Sequence, residues 1–232
     1  MTEVKRIICL ANSRKLSERC VAGLEVSEGG IGEWIRPVSA RSKGEVSYGE
    51  RQYPDGSDPA VLDIMDVPLL EPRPKDYQQE NWLLDPQGSW EHTGSLPREG
   101  LLGSINQENL LWSNGRSTYH GQNDEIPLAV ANTLTDSLRL VHTHDLLLRV
   151  FDSHYQGQTR RRVQGVFHRG DIGYRLYVTD PVYEEPYKTK PNGDVAIGES
   201  LLTISLSEPF QERDACYKLI AGIIELDDET ER

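Results

Sequence analysis

Short apolar runs separated by glycine, proline, asparagine and aspartate recur along the whole chain, and this spacing restricts the fold more than any other feature. Runs of this length between turn residues are typical of the strands of an all-β protein. The strands predicted in the first half are residues 6–11, 20–26, 32–38, 61–70 and 82–85. Those predicted in the second half are residues 138–141, 146–151, 159–168, 173–179 and 201–206. The pattern therefore predicts about five strands in each half.

Helix signals are sparse by comparison. Ser104 and Gln107 have the spacing of a capping box, which predicts a helix over residues 104–112. Near the C-terminus, the run KLIAGIIEL fits a helical stripe and a buried strand equally well, so residues 215–226 stay open between the two. We therefore expect a mainly β chain with one or two short helices.

Five-stranded halves of about 100 residues match the OB-fold, a small Greek-key barrel whose exposed face and flanking loops bind oligonucleotides or oligosaccharides. Periodicity alone leaves SH3-like barrels and a single larger sandwich open as alternatives. The loop-rich residues 86–103 form the predicted seam between two OB-like β-barrel halves, residues 1–95 and 100–226, packed as a single dual-OB module. An acidic tail, residues 227–232, is expected to fray.

Chain length and cysteine usage limit the class of protein. A chain of 232 residues can bury a core without disulfides or a structural metal. Its cysteines, Cys9, Cys20 and Cys216, are odd in number and form no CxxC pair, so reduced thiols are expected. No run approaches the roughly 20 apolar residues that span a bilayer, and the first residues lack the apolar region of a signal peptide. We expect a cytoplasmic protein with no membrane contact.

The net charge of −12 argues against a nucleic-acid ligand, because phosphate attracts a positive surface. Its distribution is uneven. Residues 1–45 hold eight Lys and Arg against six Asp and Glu, and residues 139–177 hold seven against three. Residues 46–138 and 178–232 carry the acidity, with five basic residues against fifteen and thirteen acidic ones. Two locally basic segments favour a focused anion-binding groove, although a chance fluctuation on a solvated surface explains them too.

The most informative segment, residues 158–179, reads QTRRRVQGVFHRGDIGYRLYVT and is typical of a β-hairpin that turns at residues 169–173. Side chains alternate between the two faces of a strand. If the inward residues are Val163, Phe167, Leu176 and Val178, the outward ones are Arg160, Arg162, Arg175 and Tyr177. Guanidinium groups pair with phosphate, and an aromatic ring beside them stacks on bases. Alternatively, these arginines protect a sheet edge and pair with the acidic tail.

A second basic cluster follows the first predicted strand, where Arg14, Lys15 and Arg19 stand close together. The later run GEWIRPV places Trp34 and Arg36 on one strand face, so an indole and a guanidinium would be neighbours. Such a pair could sandwich a base or form an internal cation–π contact, and Trp34 could equally belong to the core.

Motifs of the main catalytic classes are missing, including GxSxG, HExxH, the Walker loop and the zinc deaminase signature. The metal candidates are His142 and His144 with Asp145, or the scattered cysteines, and an HxH pair on a strand can chelate because residues i and i+2 share a face. A site usually needs three or four ligands, and no further His or Cys stands at a ligand-like spacing. The sequence therefore predicts no catalytic residue, no metal centre and no cofactor.

Five stretches distributed along the chain carry a resemblance to a known family. They are KRIICLANSRKLSERCVAG, GEWIRPVS, YRLYVTDPV, LTISLSEPF and CYKLIAGII. Together they resemble the bacterial dual OB-containing domain family, from near residue 5 to near residue 226. The resemblance implies two OB-like units and a nucleic-acid-sensing or -binding part of multi-gene bacterial systems, including phage defence. The polar residues 72–135 depart most, so no site there is carried over.

The leading hypothesis is a non-catalytic module that binds single-stranded or structured DNA or RNA. The predicted binding residues are Arg14, Lys15, Arg19, Trp34, Arg36, Arg160, Arg162, Arg169, Arg175 and Tyr177. The alternative is a protein–protein adaptor whose acidic surface docks a nuclease or ATPase effector without gripping nucleic acid. An enzyme acting on nucleotides is the least favoured reading, because the catalytic motifs are missing.

Overall fold

The computed structural model describes residues 1–155, 157–210 and 212–226, and the predicted acidic tail lies outside them. The chain divides into two compact units. The first unit holds Met1–Ser104 with Thr135–Ser137, and the second holds Ile105–Leu134 with the residues from Leu138 onward. The first division, after Ser104, follows directly on the loop-rich residues 86–103.

The first unit is built from six strands, a short helix and a 3₁₀ helix. The strands are β1 (Glu3–Lys15), β2 (Glu18–Ser27), β3 (Gly30–Val38), β4 (Asp63–Pro72), β5 (Asn81–Leu84) and β6 (Glu91–Ser95). Helix α1 (Tyr48–Arg51) lies between β3 and β4, and the 3₁₀ helix (Arg98–Ser104) follows β6.

Five of these strands close into a barrel. Their order is β1-β2-β3-β5-β4, and β4 pairs back onto β1. Only the β3–β5 pair within this ring is parallel. Strand β6 extends the edge of β4 beyond the ring. The core of the unit contains Ile7, Val21, Ile35, Met65, Val67 and Leu69 from the strands and Trp90 from the segment before β6. In β4 these are alternate residues, the period of a strand.

The second unit repeats this plan. Its strands are β7 (Glu125–Pro127), β8 (Leu138–Tyr155), β9 (Gln158–Arg169), β10 (Ile172–Val178), β11 (Gly193–Leu206) and β12 (Ala215–Glu225). Its helices are α2 (Leu128–Ala131) and α3 (Pro181–Lys188). Helix α3 begins with Pro181 after Asp180, whose carboxylate accepts a hydrogen bond from the Val182 amide at 3.0 Å, a favourable start for a helix.

Strands β8–β12 form a second closed ring in the order β8-β9-β10-β12-β11, and β11 pairs back onto β8. The third and fifth strands of this ring, β10 and β12, are again parallel. Two separate five-stranded rings exclude a single larger sandwich. The prediction of a mainly β chain with two OB-like barrel halves is therefore confirmed.

The helix predicted over residues 104–112 is wrong, since the 3₁₀ helix ends at Ser104 and residues 105–112 form no helix. Backbone groups of this segment bond to distant side chains instead of to each other. The Leu111 amide donates to the Tyr174 hydroxyl at 3.1 Å, and Arg169 donates to the carbonyls of Asn106 and Glu108. These hydrogen bonds satisfy backbone groups that would otherwise pair with each other in a helix.

The sequence left residues 215–226 open between a helix and a strand. In the structure this segment is a strand, since β12 spans Ala215–Glu225. The two strands predicted at 138–141 and 146–151 are one continuous strand, β8, and the irregularity falls on its partner β11 as two register shifts. Within the described residues, no helix has the length and apolar character needed to cross a membrane.

Candidate nucleic-acid interface

The β9–β10 hairpin presents the side chains that the alternation predicted. Its inward residues are all buried: Val163, Phe167, Leu176 and Val178. Arg160 is exposed on the other side, and the side chains of Arg162, Arg175 and Tyr177 are partly exposed there. Residues Ile172–Tyr177 pair with Gln164–Arg169, and this register places Tyr177 opposite Gln164, two residues from Arg162. The predicted inward set is therefore confirmed.

Aromatic rings from neighbouring segments extend this surface. We define the arginine–aromatic face as Tyr119, His120, Phe151, Arg160, Arg162, Arg175 and Tyr177. The Phe151 ring stacks on Tyr177 with 6.4 Å between ring centroids, and the His120 ring lies 4.8 Å from Phe151. Tyr119 meets His120 edge-on at 4.8 Å and is 93% exposed. The rings form one connected row.

The arginines of this face differ in their partners. The Arg162 guanidinium lies over the Tyr177 ring, 5.7 Å from its centroid. Arg160 donates to the neutral Gln158 side chain at 3.1 Å. Neither forms an ion pair with any described residue. In contrast, the neighbouring Arg161 pairs with Asp152 at 3.1 Å. Two cations without an acidic partner are thus held beside stacked rings, a combination suited to a phosphate-bearing chain with unstacked bases.

The loop that carries Tyr119 and His120 is fixed to β10. Gln122 and Arg175 exchange two backbone hydrogen bonds of 3.1 Å, so the loop extends the edge of β10 by one bridge. The Asn123 side chain also donates to the Gly173 carbonyl at 2.9 Å. These bonds hold the aromatic tip of the loop against the barrel.

Two buried donors at this face have no hydrogen-bond partner among the described residues. They are Nε2 of Gln164, whose side chain is 1% exposed, and Nε of Arg175. Burying a donor without a partner costs free energy, so such groups need an explanation. The Tyr177 hydroxyl beside them stays neutral, because burial raises its pKa. Both unpartnered donors therefore lie beneath the exposed surface of the face and not on it.

Comparison with known protein families gives a match: the family model of the dual OB-containing domain covers residues 5–223. The chain belongs to the dual OB-containing domain family. Searches of curated proteins and of solved structures returned no significant match.

In this dual OB-containing domain, the arginine–aromatic face occupies the position at which OB-folds usually bind ligands. Strands β8, β9 and β10 are the first, second and third strands of the second ring. In OB-folds the face of strands two and three, with the loops beside it, binds oligonucleotides or oligosaccharides. Arg160, Arg162, Arg175 and Tyr177 all project from those two strands.

Arg169, predicted in the same site, does not face a ligand. Its side chain is buried, and it donates to the backbone carbonyls of Asn106, Glu108 and His142 at 2.7–3.3 Å. Burial lowers the pKa of its guanidinium. The expectation that Arg169 is open to a ligand is wrong, since this side chain holds the irregular segment after Ser104 onto the barrel.

Arg36 is a second correction. It shares a strand face with Trp34 as predicted, but its side chain is only 2% exposed. The guanidinium pairs with Glu80 at 2.8 Å and donates to the Ser137 hydroxyl at 2.9 Å. The expected indole–guanidinium platform is therefore wrong for Arg36, because residues distant in sequence cover this part of β3. Trp34 itself is half-buried.

The remaining predicted residues gather at one hairpin tip of the first unit. Arg14 lies opposite Arg19 across the β1–β2 pair, and Lys15 lies opposite Glu18. Arg14 is exposed, and Lys15 and Arg19 are half-buried. The structure thus brings three of the predicted cations together at this loop, and their contact with nucleic acid stays a prediction.

Sequence reasoning missed three aromatic members of the face. Phe151 lies in a predicted strand, but the face of that strand that it occupies was not predicted. Its neighbour Val150 is buried, so alternation turns Phe151 outward. Tyr119 and His120 lie in the polar middle of the chain, where neither periodicity nor family resemblance gave a signal. The contact of His120 with Phe151, and that of Tyr119 with His120, place them in the site.

Proposed function

We propose that this dual OB-containing domain is a non-catalytic module that binds single-stranded nucleic acid on the arginine–aromatic face of its second barrel. The observation that carries the proposal is the pair Arg160 and Arg162, free of acidic partners among the described residues and set beside a row of stacked rings. The family resemblance further implies a sensing role in a multi-gene bacterial system such as phage defence.

Each part of the face has a task in this proposal. Arg160 and Arg162 contact phosphates, and the exposed Tyr119 ring supplies a stacking platform for a base. Base–aromatic stacking contributes about 1–3 kcal/mol per base and accepts any base. Single strands suit this surface better than duplexes, since their bases are free to stack.

The acidity of the whole chain is compatible with such a site when positive charge is local. Arg149 belongs to the same strand as Phe151 but is neutralised by Asp194, with two contacts of 2.8 Å. Among the arginines of β8 and β9 near the face, Arg160 and Arg162 thus keep their charge without a described acidic partner, whereas Arg149 and Arg161 are paired. A local positive field on an acidic protein confines an anionic ligand to one surface.

The experiment is fluorescence anisotropy with a labelled single-stranded 20-mer at about 50 mM and about 200 mM salt. We expect affinity to fall with salt, because phosphate contacts release counterions. Arg162→Gln is expected to reduce the salt slope by about 0.7, the value for one single-strand phosphate contact. Tyr119→Ala is expected to weaken binding by about 1–3 kcal/mol through lost stacking.

The matched control is Arg6→Gln, which removes the same charge from an exposed arginine of the first barrel that pairs with Asp66. It is expected to leave the salt slope unchanged. Absence of binding at low salt, or equal binding by wild type, Arg162→Gln and Tyr119→Ala, would contradict the proposal. Co-purification of a nuclease or ATPase without any oligonucleotide shift would favour the adaptor instead.

A further inference from the structure

Three potential metal ligands meet on the second barrel, away from the arginine–aromatic face. They are His142 and His144 on β8 and Glu199 on β11. One potential ligand atom from each lies within 4.8 Å of the other two. The Glu199 carboxylate oxygen Oε1 is 2.6 Å from Nε2 of His142 and 3.2 Å from Nδ1 of His144. Two imidazoles therefore converge on a single oxygen.

The irregular pairing of β8 with β11 creates this convergence. The register shifts between Ala196 and Gly198 and again between Gly198 and Ser200, so Glu199 stands inside a bulge. Gly198 takes a φ of 96°, a conformation that favours glycine. A bulge re-aims a side chain, and here it turns Glu199 toward the two histidines, which share a face as residues i and i+2.

The backbone around the three residues is held from several sides. The buried Thr143 hydroxyl donates to Asp145 at 2.8 Å on the opposite face of β8. Arg169 donates to the His142 carbonyl at 3.3 Å, and the Leu226 amide donates to the Glu199 carbonyl at 2.9 Å. Ligands on a fixed backbone lose little freedom when a metal binds, which favours affinity.

We propose that His142, His144 and Glu199 form a binding site for a divalent transition metal, with Zn²⁺ as the expected occupant. Zn²⁺ binds imidazole nitrogen and carboxylate oxygen at about 2.0–2.2 Å, which sets neighbouring ligand atoms of a tetrahedral site about 3.3 Å apart. The carboxylate–imidazole distances of 2.6 and 3.2 Å in the structure are both shorter than that value, by at most about 0.7 Å. All three ligand atoms already lie within 4.8 Å of one another, so only small movements are needed to place them around one ion.

The site retains room for a further ligand. The side chain of His144 is 78% exposed, that of Glu199 38% and that of His142 26%. Three protein ligands with an open coordination position are typical of zinc sites that bind water or an anionic oxygen. The metal therefore has an exchangeable position on the surface of the second barrel, and this inference does not depend on nucleic-acid binding.

The test is calorimetric titration of Zn²⁺ into the full chain, purified without a histidine tag and treated with a chelator. We expect one Zn²⁺ per chain, with affinity reduced about tenfold or more by His142→Ala and by Glu199→Gln. His154→Ala is the matched control, because its ring bonds to Thr159 outside the cluster, and it is expected to bind like wild type.

A spectroscopic readout distinguishes this site from adventitious binding elsewhere. Co²⁺ replacing Zn²⁺ is expected to give visible absorption bands that His142→Ala and His144→Ala each abolish. Failure of the wild-type chain to bind Zn²⁺ stoichiometrically would overturn the proposal. Unchanged stoichiometry, affinity and Co²⁺ spectrum in a His142→Ala/His144→Ala double variant would overturn it as well.

Discussion

Lys218 on β12 is the most deeply buried cation among the described residues of the second barrel, and it is inaccessible to solvent. Its ammonium group donates three hydrogen bonds, to the Ser113 carbonyl at 2.6 Å, the Asn114 side chain at 2.8 Å and the Asn123 carbonyl at 2.7 Å. Three donors meet three acceptors. Lys218 therefore ties β12 to both ends of the loop that carries Tyr119 and His120.

Lys218→Met is expected to lower the free energy of unfolding by about 3 kcal/mol, because it leaves buried acceptors without a donor. Burial lowers the pKa of Lys218 to about 7, so the measurement is made near pH 6, where the ammonium form dominates. Urea unfolding compares this variant with Lys43→Met, which changes an exposed lysine and is expected to shift stability by less than about 0.5 kcal/mol. Equal stabilities of the two variants would contradict the role of Lys218.

Single residues show where sequence reasoning succeeds and where it fails. Alternation gave the correct faces for Val163 and Phe167, because the period of a strand is a local property. It gave the correct strand face for Arg36 as well, but not its burial. Glu80 and Ser137, which cover Arg36, are distant in sequence. Local periodicity predicts a direction, and only the tertiary structure shows what lies there.

Among the elements, the β1–β2 pair contains a position where the backbone of the neighbouring strand leaves no room for a side chain. Its register shifts between Cys9 and Ala11, and the Cys9 carbonyl accepts a hydrogen bond from the Leu62 amide at 2.8 Å. Gly23 lies opposite Cys9 at this irregularity. A Cβ atom on Gly23 would lie 2.0 Å from the Ile8 carbonyl oxygen. A side chain at this position therefore requires the backbone of β1 or β2 to shift.

Gly23→Ala is therefore expected to destabilise the protein by about 3 kcal/mol, at the upper end of the usual cost of overpacking. The clash is with backbone, which cannot move away as a flexible side chain can. Gly29→Ala in the β2–β3 turn is the control, since the nearest atom would be the Ser27 hydroxyl at 3.6 Å. Thermal unfolding should separate the two variants, and coincident midpoints would show that the barrel tolerates a side chain at Gly23.

Most strands of the two rings were predictable from the sequence, because each of them is an apolar run between turn residues. Strands β6 and β7 were missed, since they are short and weakly apolar. The segment after Ser104 was predicted as a helix from local capping alone. Its backbone is satisfied by Tyr174 and Arg169, and no local pattern signals partners some sixty residues away.

At the scale of the molecule, two rings of identical strand order carry different surfaces. In both, the third strand pairs in parallel with the fifth. The third strand of the second barrel presents Arg175 and Tyr177 to the arginine–aromatic face, whereas Arg36 on the third strand of the first is sealed by an ion pair with Glu80. A shared fold thus does not imply a shared site, and for this reason the proposed ligand is placed on the second barrel.

The most direct test of this assignment is photo-cross-linking of a single-stranded 20-mer that carries 5-iodouracil, followed by peptide mass spectrometry. Stacking of bases on the exposed rings predicts cross-links to peptides that contain Tyr119, Phe151 or Tyr177. Excess unlabelled single strand should remove these cross-links. Cross-links confined to peptides outside the arginine–aromatic face would contradict the account.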